Sequence, residues 1–350
     1  MTIKIQKYNY LLQPGLIAKT PANPRNASRL LVFDSKKNNT HHKHFFDIGA
    51  FLRPGDLLVT NNSKVFSARI FGQKTTGGRI EILLLEKNGN FWQALIGGKV
   101  KIGDKIQIDT NFFCQIIEKN EKTAKVKFNL QGKGFWRKIN QLGHMPIPPY
   151  IKNSNLPEKT LRRQYQTVYA KEFGSAAAPT AGLHFTKKLI GDLRSAGVEF
   201  ASVDLHVGLG TFAPINEENV TNKKLHSENF SVPYSTVQKI LKTRKSGGQI
   251  IAVGTTTVRA LESSSAKIFS AEKDISSSTN IFIQPGDKFK VVDGLITNFH
   301  LPESSLMMLV AAFIQHKGIT DGRKKLLELY SLAIDKKYRF YSFGDAMLIV

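Results

Sequence analysis

The chain has 350 residues, enough for two domains with substantial cores. At 41% hydrophobic and 22% charged it has the composition of an ordinary globular protein, and its one cysteine, Cys114, excludes a disulfide framework within the chain. Lys and Arg number 50 against 27 Asp and Glu, and the net charge of +23 implies either a nucleic-acid partner or a Lys-biased genome. No run is long and apolar enough for a transmembrane helix, and MTIKIQKYNYLLQPG lacks the centre of a signal peptide, so a cytoplasmic protein is expected.

Three zones follow along the chain. Up to Lys64, SRLLVFD and GDLLVTNN read as strands punctuated by prolines. Within it HHKH (His41–His44) matches no zinc spacing and reads as a solvated loop. From Val65 to Gly143 come ARIFG, RIEILLLEK, FWQALIGG, KIQI, FFCQIIEK and AKVKFNL, short strands separated by turn signals. Such spacing predicts a small antiparallel β-barrel, with Cys114 buried and inert. GKGFWRK interleaves Lys133, Arg137 and Lys138 with Phe135 and Trp136. Those residues either contact RNA phosphates and stack on bases, or anchor the β-domain on its neighbour. The proline-rich HMPIPPYI (His144–Ile151) then reads as a linker.

From Lys152 onward helices and strands alternate, which predicts an α/β layer structure. The chain therefore divides into an α/β body (residues 1–64 and 144–350) and an inserted β-barrel domain (65–143). Helices are expected over Lys187–Ala196, Ser235–Lys245, Thr255–Ser264, Ser304–His316 and Asp321–Ala333, and strands over VEFASVDLHV and QIIAVG. Ser263–Asn280, with SSS twice, reads as a mobile connection.

Chemistry concentrates in this last zone. GSAAAPTAGLHFT and VDLHVGLGTF place His184 and His206 among small residues, where backbone and ligand can approach closely. Thr180, Gly182, Gly208, Gly210 and Thr211 belong to the same loops; a tight turn is the plainer reading of the glycines. LHSENF places His226 and Glu228 on one face of an extended strand, unless it is a polar loop. In AVGTTTVRALES, Gly254 ends a strand and Thr255, Thr256 and Thr257 open a helix at N-cap positions. That helix start, with Arg259 one turn on, suits a carboxylate or phosphate; a capped helix with an Arg259–Glu262 pair is the alternative. Asn298 and His300 share a face in ITNFHLP.

Taken in order, PPYI, YQTVYA, AAPTAGLHF, LHVGLGTF, HSE, AVGTTTVRALES, DGLITNFHLP and FGDAM resemble the S-adenosylmethionine:tRNA ribosyltransferase-isomerases of queuosine biosynthesis over essentially the whole chain. The resemblance implies an α/β body with an inserted β-barrel, usually monomeric and cytoplasmic, with no metal. It implies S-adenosylmethionine as a consumed substrate, not a cofactor. It also implies transfer and isomerisation of the ribosyl part onto 7-aminomethyl-7-deazaguanine at the tRNA wobble position, with loss of adenine and methionine. Departures from the family pattern include Asp204 before His206 and Phe343 in place of a tyrosine. The implied chemistry needs a base at the ribose 5′ carbon, for which His184 or His206 is expected. His226 and His300 are the other acid–base groups, and Glu228 and Glu262 are second choices, as orienting carboxylates or as electrostatic partners of the sulfonium. Thr255–Thr257 with Arg259 would hold the methionine carboxylate, and Asn298 with His300 would read the deazaguanine edge or ribose hydroxyls. A methyltransferase and a non-catalytic RNA-binding protein are the rival readings.

Overall fold

The computed structural model of the chain describes residues 4–120, 123–151, 156–208 and 217–350. Its first strands are β1 (Arg29–Asp34), β2 (Asn39–His44), β3 (Leu57–Asn61) and β4 (Ser63–Val65). Then come β5 (Arg69–Lys74), β6 (Arg79–Asn88), β7 (Phe91–Gly97), β8 (Lys105–Asp109), β9 (Phe112–Lys119) and β10 (Thr123–Phe128). These six close an antiparallel barrel in the order β10-β7-β6-β5-β8-β9. Alternate residues such as Ile80, Ile82, Leu84, Trp92 and Ala94 fill it, as the period of 2 requires. Cys114 lies in that core, where burial pushes its thiol up to about 12. Helix α1 (Gly132–Leu142) adds Phe135 and Ile139 to the same core.

The rest of the chain supplies α2 (Glu158–Gln164), β11 (Glu172–Ser175), α3 (Lys187–Ser195), β12 (Glu199–Leu205), α4 (Glu217–Asn222) and β13 (Lys224–Val232). It continues with α5 (Tyr234–Lys245), β14 (Ile250–Val253), α6 (Thr255–Ser263), α7 (Ser265–Ile268), β15 (Ile275–Ile281) and β16 (Gly294–Asn298). Last come α8 (Ser305–His316), α9 (Gly322–Asp335) and β17 (Ala346–Ile349). Among the described residues nine strands form one mixed sheet, β15-β13-β12-β3-β14-β16-β17-β1-β2. The central strands are apolar on both faces, as buried parallel strands must be. Leu57, Val59, Ile250, Ala252 and Leu295 pack on one face with α5, α6, α8 and α9. Their neighbours Leu58, Ile251, Val253 and Ile296 pack on the other with Phe45, Phe185 and α3. Ser304 and Asp321 cap α8 and α9, accepting from the amides of Met307 and Lys324.

Two expectations for loops are corrected. HHKH forms β2, an exposed edge strand paired antiparallel with β1, because a polar run can satisfy its backbone on a sheet edge. Much of Ser263–Asn280 is ordered as α7 and β15, the strand pairing with β13. No helix among the described residues is long and apolar enough to cross a membrane, and no cluster there could hold a metal ion.

Candidate active site

Strands β12, β3, β14 and β16 run parallel, so their C-terminal ends meet on one edge of the sheet. In open α/β sheets, ligands bind beyond that edge. Asn61, at the end of β3, ties it together. Its carboxamide accepts from the Leu205 amide at 3.2 Å and donates to the Leu205 carbonyl at 3.0 Å and to Thr256 Oγ1 at 3.2 Å. A cavity of about 630 Å³ opens above this edge. Gly254, Thr255, Thr256, Arg259, Thr180, Asn298 and His300 line it, together with Tyr150, Tyr165, Tyr341 and Ser342. The size suits a nucleoside-sized ligand.

The amino end of α6 faces this space. Gly254 is its N-cap, at φ 94°, and no side chain among the described residues caps the helix. The expectation of a threonine N-cap is thus corrected: Thr257 Oγ1 donates back to the Val253 carbonyl at 2.8 Å. The first-turn amides have no partner among the described residues and can meet an anion. Arg259 is 6% exposed, and its Nη1 forms an ion pair with Glu228 Oε2. Its Nε and Nη2 have no partner among the described residues. Glu228 Oε1 accepts from the Gly208 amide at 3.0 Å. The Arg259–Glu262 pair expected from spacing does not form. Glu262 instead accepts the amides of Lys290, Val291 and Val292 at 2.8–3.0 Å, and burial raises its carboxyl's pKa.

Of the four motif histidines only His300 lines the cavity. Its Nε2 lies 2.7 Å from Thr297 Oγ1, its amide donates to Tyr330 Oη at 2.8 Å, and burial lowers its pKa to about 3. His184 is buried behind Asn298, with Nε2 3.2 Å from Asn298 Nδ2 and Nδ1 2.7 Å from Ser28 Oγ. Its ring stacks on Phe45 at 5.0 Å, and burial lowers its pKa to about 3. Both ring nitrogens are therefore spent inside the protein. His206 lies outside the cavity against Gly174, where a Cβ would stand 2.5 Å from the ring. Burial lowers its pKa, against the opposing pull of Glu86 and Glu172. His226 is exposed on β13 beside a pocket of about 20 Å³ that Glu228 and Arg259 also line. An irregularity between Lys224 and Glu228 breaks the strand's pairing, and Glu228 pairs with Arg259 instead of the imidazole.

The glycines divide likewise. Gly254 lines the cavity, and Gly208 lends its amide to Glu228. Gly210 and Thr211 lie outside the described residues. Gly182 answers a protein contact: a Cβ there would sit 1.9 Å from the Tyr169 hydroxyl. That hydroxyl is buried without a partner among the described residues. Gly182→Ala should therefore lose roughly 2–4 kcal/mol of stability, as overpacked sites do. Tyr169→Phe should be neutral or stabilising by about 1 kcal/mol, since an unsatisfied donor disappears. In the double variant part of the alanine's cost should return, read from urea midpoints.

On α1, Lys133 and Arg137 are exposed one turn apart. Trp136 is half-buried, edge-on to Phe66, Trp92 and Phe135, and Lys138 forms an ion pair with Asp109. Trp136 thus packs on the barrel's own aromatic core, with Phe173 of β11 a further 6.3 Å ring neighbour outside it. The residues missed by sequence reasoning are hydroxyls: Tyr150 Oη lies 2.8 Å from Ser342 Oγ on the cavity wall, and Tyr165 is fully buried beside it. Pro148 and Pro149 line the cavity too, so the proline run read as a linker also serves as a wall. Phe343 lies edge-on to Tyr165 at 5.9 Å in an apolar cluster.

A sequence family described as "Queuosine biosynthesis protein" matches residues 5–349. The chain belongs to that family. It is 47% identical over 353 residues to the S-adenosylmethionine:tRNA ribosyltransferase-isomerase of Thermosipho melanesiensis, covering 99% of this chain and 100% of that one. The enzyme of the same name from Carboxydothermus hydrogenoformans is 44% identical at the same coverage. The crystal structure of the S-adenosylmethionine tRNA ribosyltransferase from Thermotoga maritima superposes with a TM-score of 0.56 at 38% identity. That match covers 98% of this chain and 100% of the other.

Proposed function

We propose that the chain is an S-adenosylmethionine:tRNA ribosyltransferase-isomerase. It transfers and isomerises the ribosyl part of S-adenosylmethionine onto the aminomethyl group of 7-aminomethyl-7-deazaguanine at the tRNA wobble position, releasing adenine and methionine. Full-length likeness to enzymes of that name supports the activity. The observation that carries the site is Arg259, a buried guanidinium with two nitrogens unpartnered among the described residues, beside a helix start that none of their side chains caps. That arrangement suits the carboxylate of the methionine part.

The base moves from His184 or His206 to His300, the motif imidazole on the cavity wall. A pKa near 3 keeps it unprotonated at neutral pH, with a lone pair to accept a proton. It also makes the ring a weak base, so the neighbouring sulfonium must supply the acidity of the 5′ carbon. The proton passes to the imidazole. Adenine leaves C1′ with the glycosidic electron pair and takes up a proton, and the electron pair left at C5′ closes a bond to C1′. The neutral amine replaces the ring oxygen at C4′ and gives up a proton, and that oxygen closes on C5′ as methionine departs with the C–S pair as the thioether. Tyr150, Tyr165 and Tyr341 offer aromatic surface for a base splayed from the anticodon loop. Exposed Lys133 and Arg137 are the α1 residues left to meet phosphates. The barrel and α1 act as the inserted domain 65–143, in a monomer working in the cytoplasm without a further cofactor.

The test uses tRNA carrying the aminomethyl base and S-adenosylmethionine labelled in the ribose. Ribose label should enter the tRNA while adenine and methionine appear in equal amounts. Entry of methyl label instead would overturn the reading in favour of methylation. His300→Gln should lower kcat by ~10²–10⁴-fold, the usual contribution of one acid or base. An unchanged kcat removes His300 from the proton transfer.

A further inference from the structure

Behind the cavity wall, four polar side chains settle which way one carboxamide points. Asn298 is 2% exposed. Its Nδ2 lies 3.3 Å from the carbonyl of Tyr341, an acceptor that cannot donate. That carbonyl is fixed in place, because Tyr341 sits at φ 69° and the same oxygen accepts from the Gly344 amide at 3.0 Å. The amide nitrogen must therefore be on that side, and Oδ1 on the other.

Two consequences run outward. The second Nδ2 proton meets His184 Nε2 at 3.2 Å, so that ring nitrogen is the acceptor. The ring proton then sits on Nδ1 and donates to Ser28 Oγ at 2.7 Å. On the other side, Thr180 Oγ1 lies 2.9 Å from Asn298 Oδ1. A carbonyl oxygen has no proton, so the Thr180 hydroxyl spends its only one there. What Thr180 turns to the cavity it lines is lone pairs alone.

We infer that Thr180 is an acceptor-only contact for an N–H or O–H donor of the substrate, and that His184, accepting the second Nδ2 proton, is a positioning residue that holds Asn298 in the orientation the Tyr341 carbonyl sets. A substrate group that can only accept is rejected there, because two sets of lone pairs would face each other. The donor is an amine or ribose hydroxyl, carried either by S-adenosylmethionine or by the modified base.

The inference rests on the cavity being the substrate site, and calorimetry separates the two claims. Wild-type protein should bind S-adenosylmethionine and the modified anticodon stem-loop. If it binds neither, the site reading itself falls. Thr180→Val keeps the shape and removes the oxygen. It should weaken one of the two ligands about 5- to 100-fold, the range for losing a neutral or charged hydrogen bond, and leave the other within twofold. The ligand affected identifies the donor's source. Thr180→Ser should recover most of the loss. His184→Phe should weaken the same ligand, and Thr180→Val/His184→Phe should lose no more than the weaker-binding single variant, because both act through one chain of bonds. Unchanged affinity of Thr180→Val for both ligands overturns the contact. Additive losses in the double variant overturn the relay.

Discussion

Arg259→Met should destabilise the protein by about 3–5 kcal/mol, the cost of leaving one charge of a buried pair alone. The side chains of Arg259 and Glu228 are 8% and 2% exposed, so water cannot solvate the carboxylate left behind. A second substitution separates structure from function. Arg259→Met/Glu228→Leu removes both charges, and such replacements are often neutral or stabilising. Its urea midpoint should therefore return most of the way to wild type, short of the bond Glu228 accepts from the Gly208 amide. Affinity for S-adenosylmethionine should not return with it. The unspent Nε and Nη2 donors are gone, and charge-assisted hydrogen bonds are worth roughly 1.5–3 kcal/mol each, so KM should stay raised by ~10- to 150-fold or more. A stable double variant with a normal KM would remove Arg259 from the carboxylate site.

Acid should unfold this protein early, and two imidazoles are a principal reason. In the folded protein burial holds His184 and His300 at pKa values of about 3, against an ordinary imidazole value of 6.5 in the unfolded chain. Between those limits the unfolded chain takes up protons that the folded protein refuses, so stability falls as pH falls from about 6.5 towards 3. By pH 5 each ring should have cost about 2 kcal/mol relative to neutral pH. Asp204 works the other way: burial, then Glu172, raises its pKa to about 6 from 3.8, so the folded state gains a proton first in that window. Urea midpoints at pH 7 and pH 5 give the wild-type slope. His184→Asn should shrink the pH 7-to-5 loss by about 2 kcal/mol whatever its own stability at pH 7. An unchanged loss would mean that His184 titrates normally and is not sealed in the wall.

The body's architecture is legible because its signals are local. QIIAV is apolar on both faces and becomes β14, and Ser304 and Asp321 announce the helices they cap. Turn residues separate the six barrel strands as their spacing predicts. The site is only half legible. Thr180, Gly254, Thr255, Thr256, Arg259, Asn298 and His300 do converge on one cavity. His184 and His206 mislead because small neighbours mark any close approach, and here the approaching atoms belong to the protein. Gly174 makes room for the ring of His206, and Gly182 for the hydroxyl of Tyr169. Charge pairing fails for a related reason. Spacing offers Arg259 a partner one turn away in Glu262, but the sheet brings Glu228 from β13, which no helical periodicity can reveal. The tyrosines lie in motifs that were visible, PPYI and YQTVYA, yet a lone phenol carries no spacing to give it away.

The sheet's strand order bears on how the protein is made. Strand β1 joins the body's central strands only through β17, where Leu30 pairs with Ala346 and Phe33 with Ile349. On the ribosome β1 emerges early and must wait until the whole intervening chain has been translated. The barrel needs no such delay, because its pairings lie within one short stretch of chain. Vectorial synthesis should thus yield a closed barrel beside an unfinished sheet, with β1 paired to β2 on one edge and its other edge open until the last strand arrives. That interval is when the nascent chain is most exposed to chaperones and proteases.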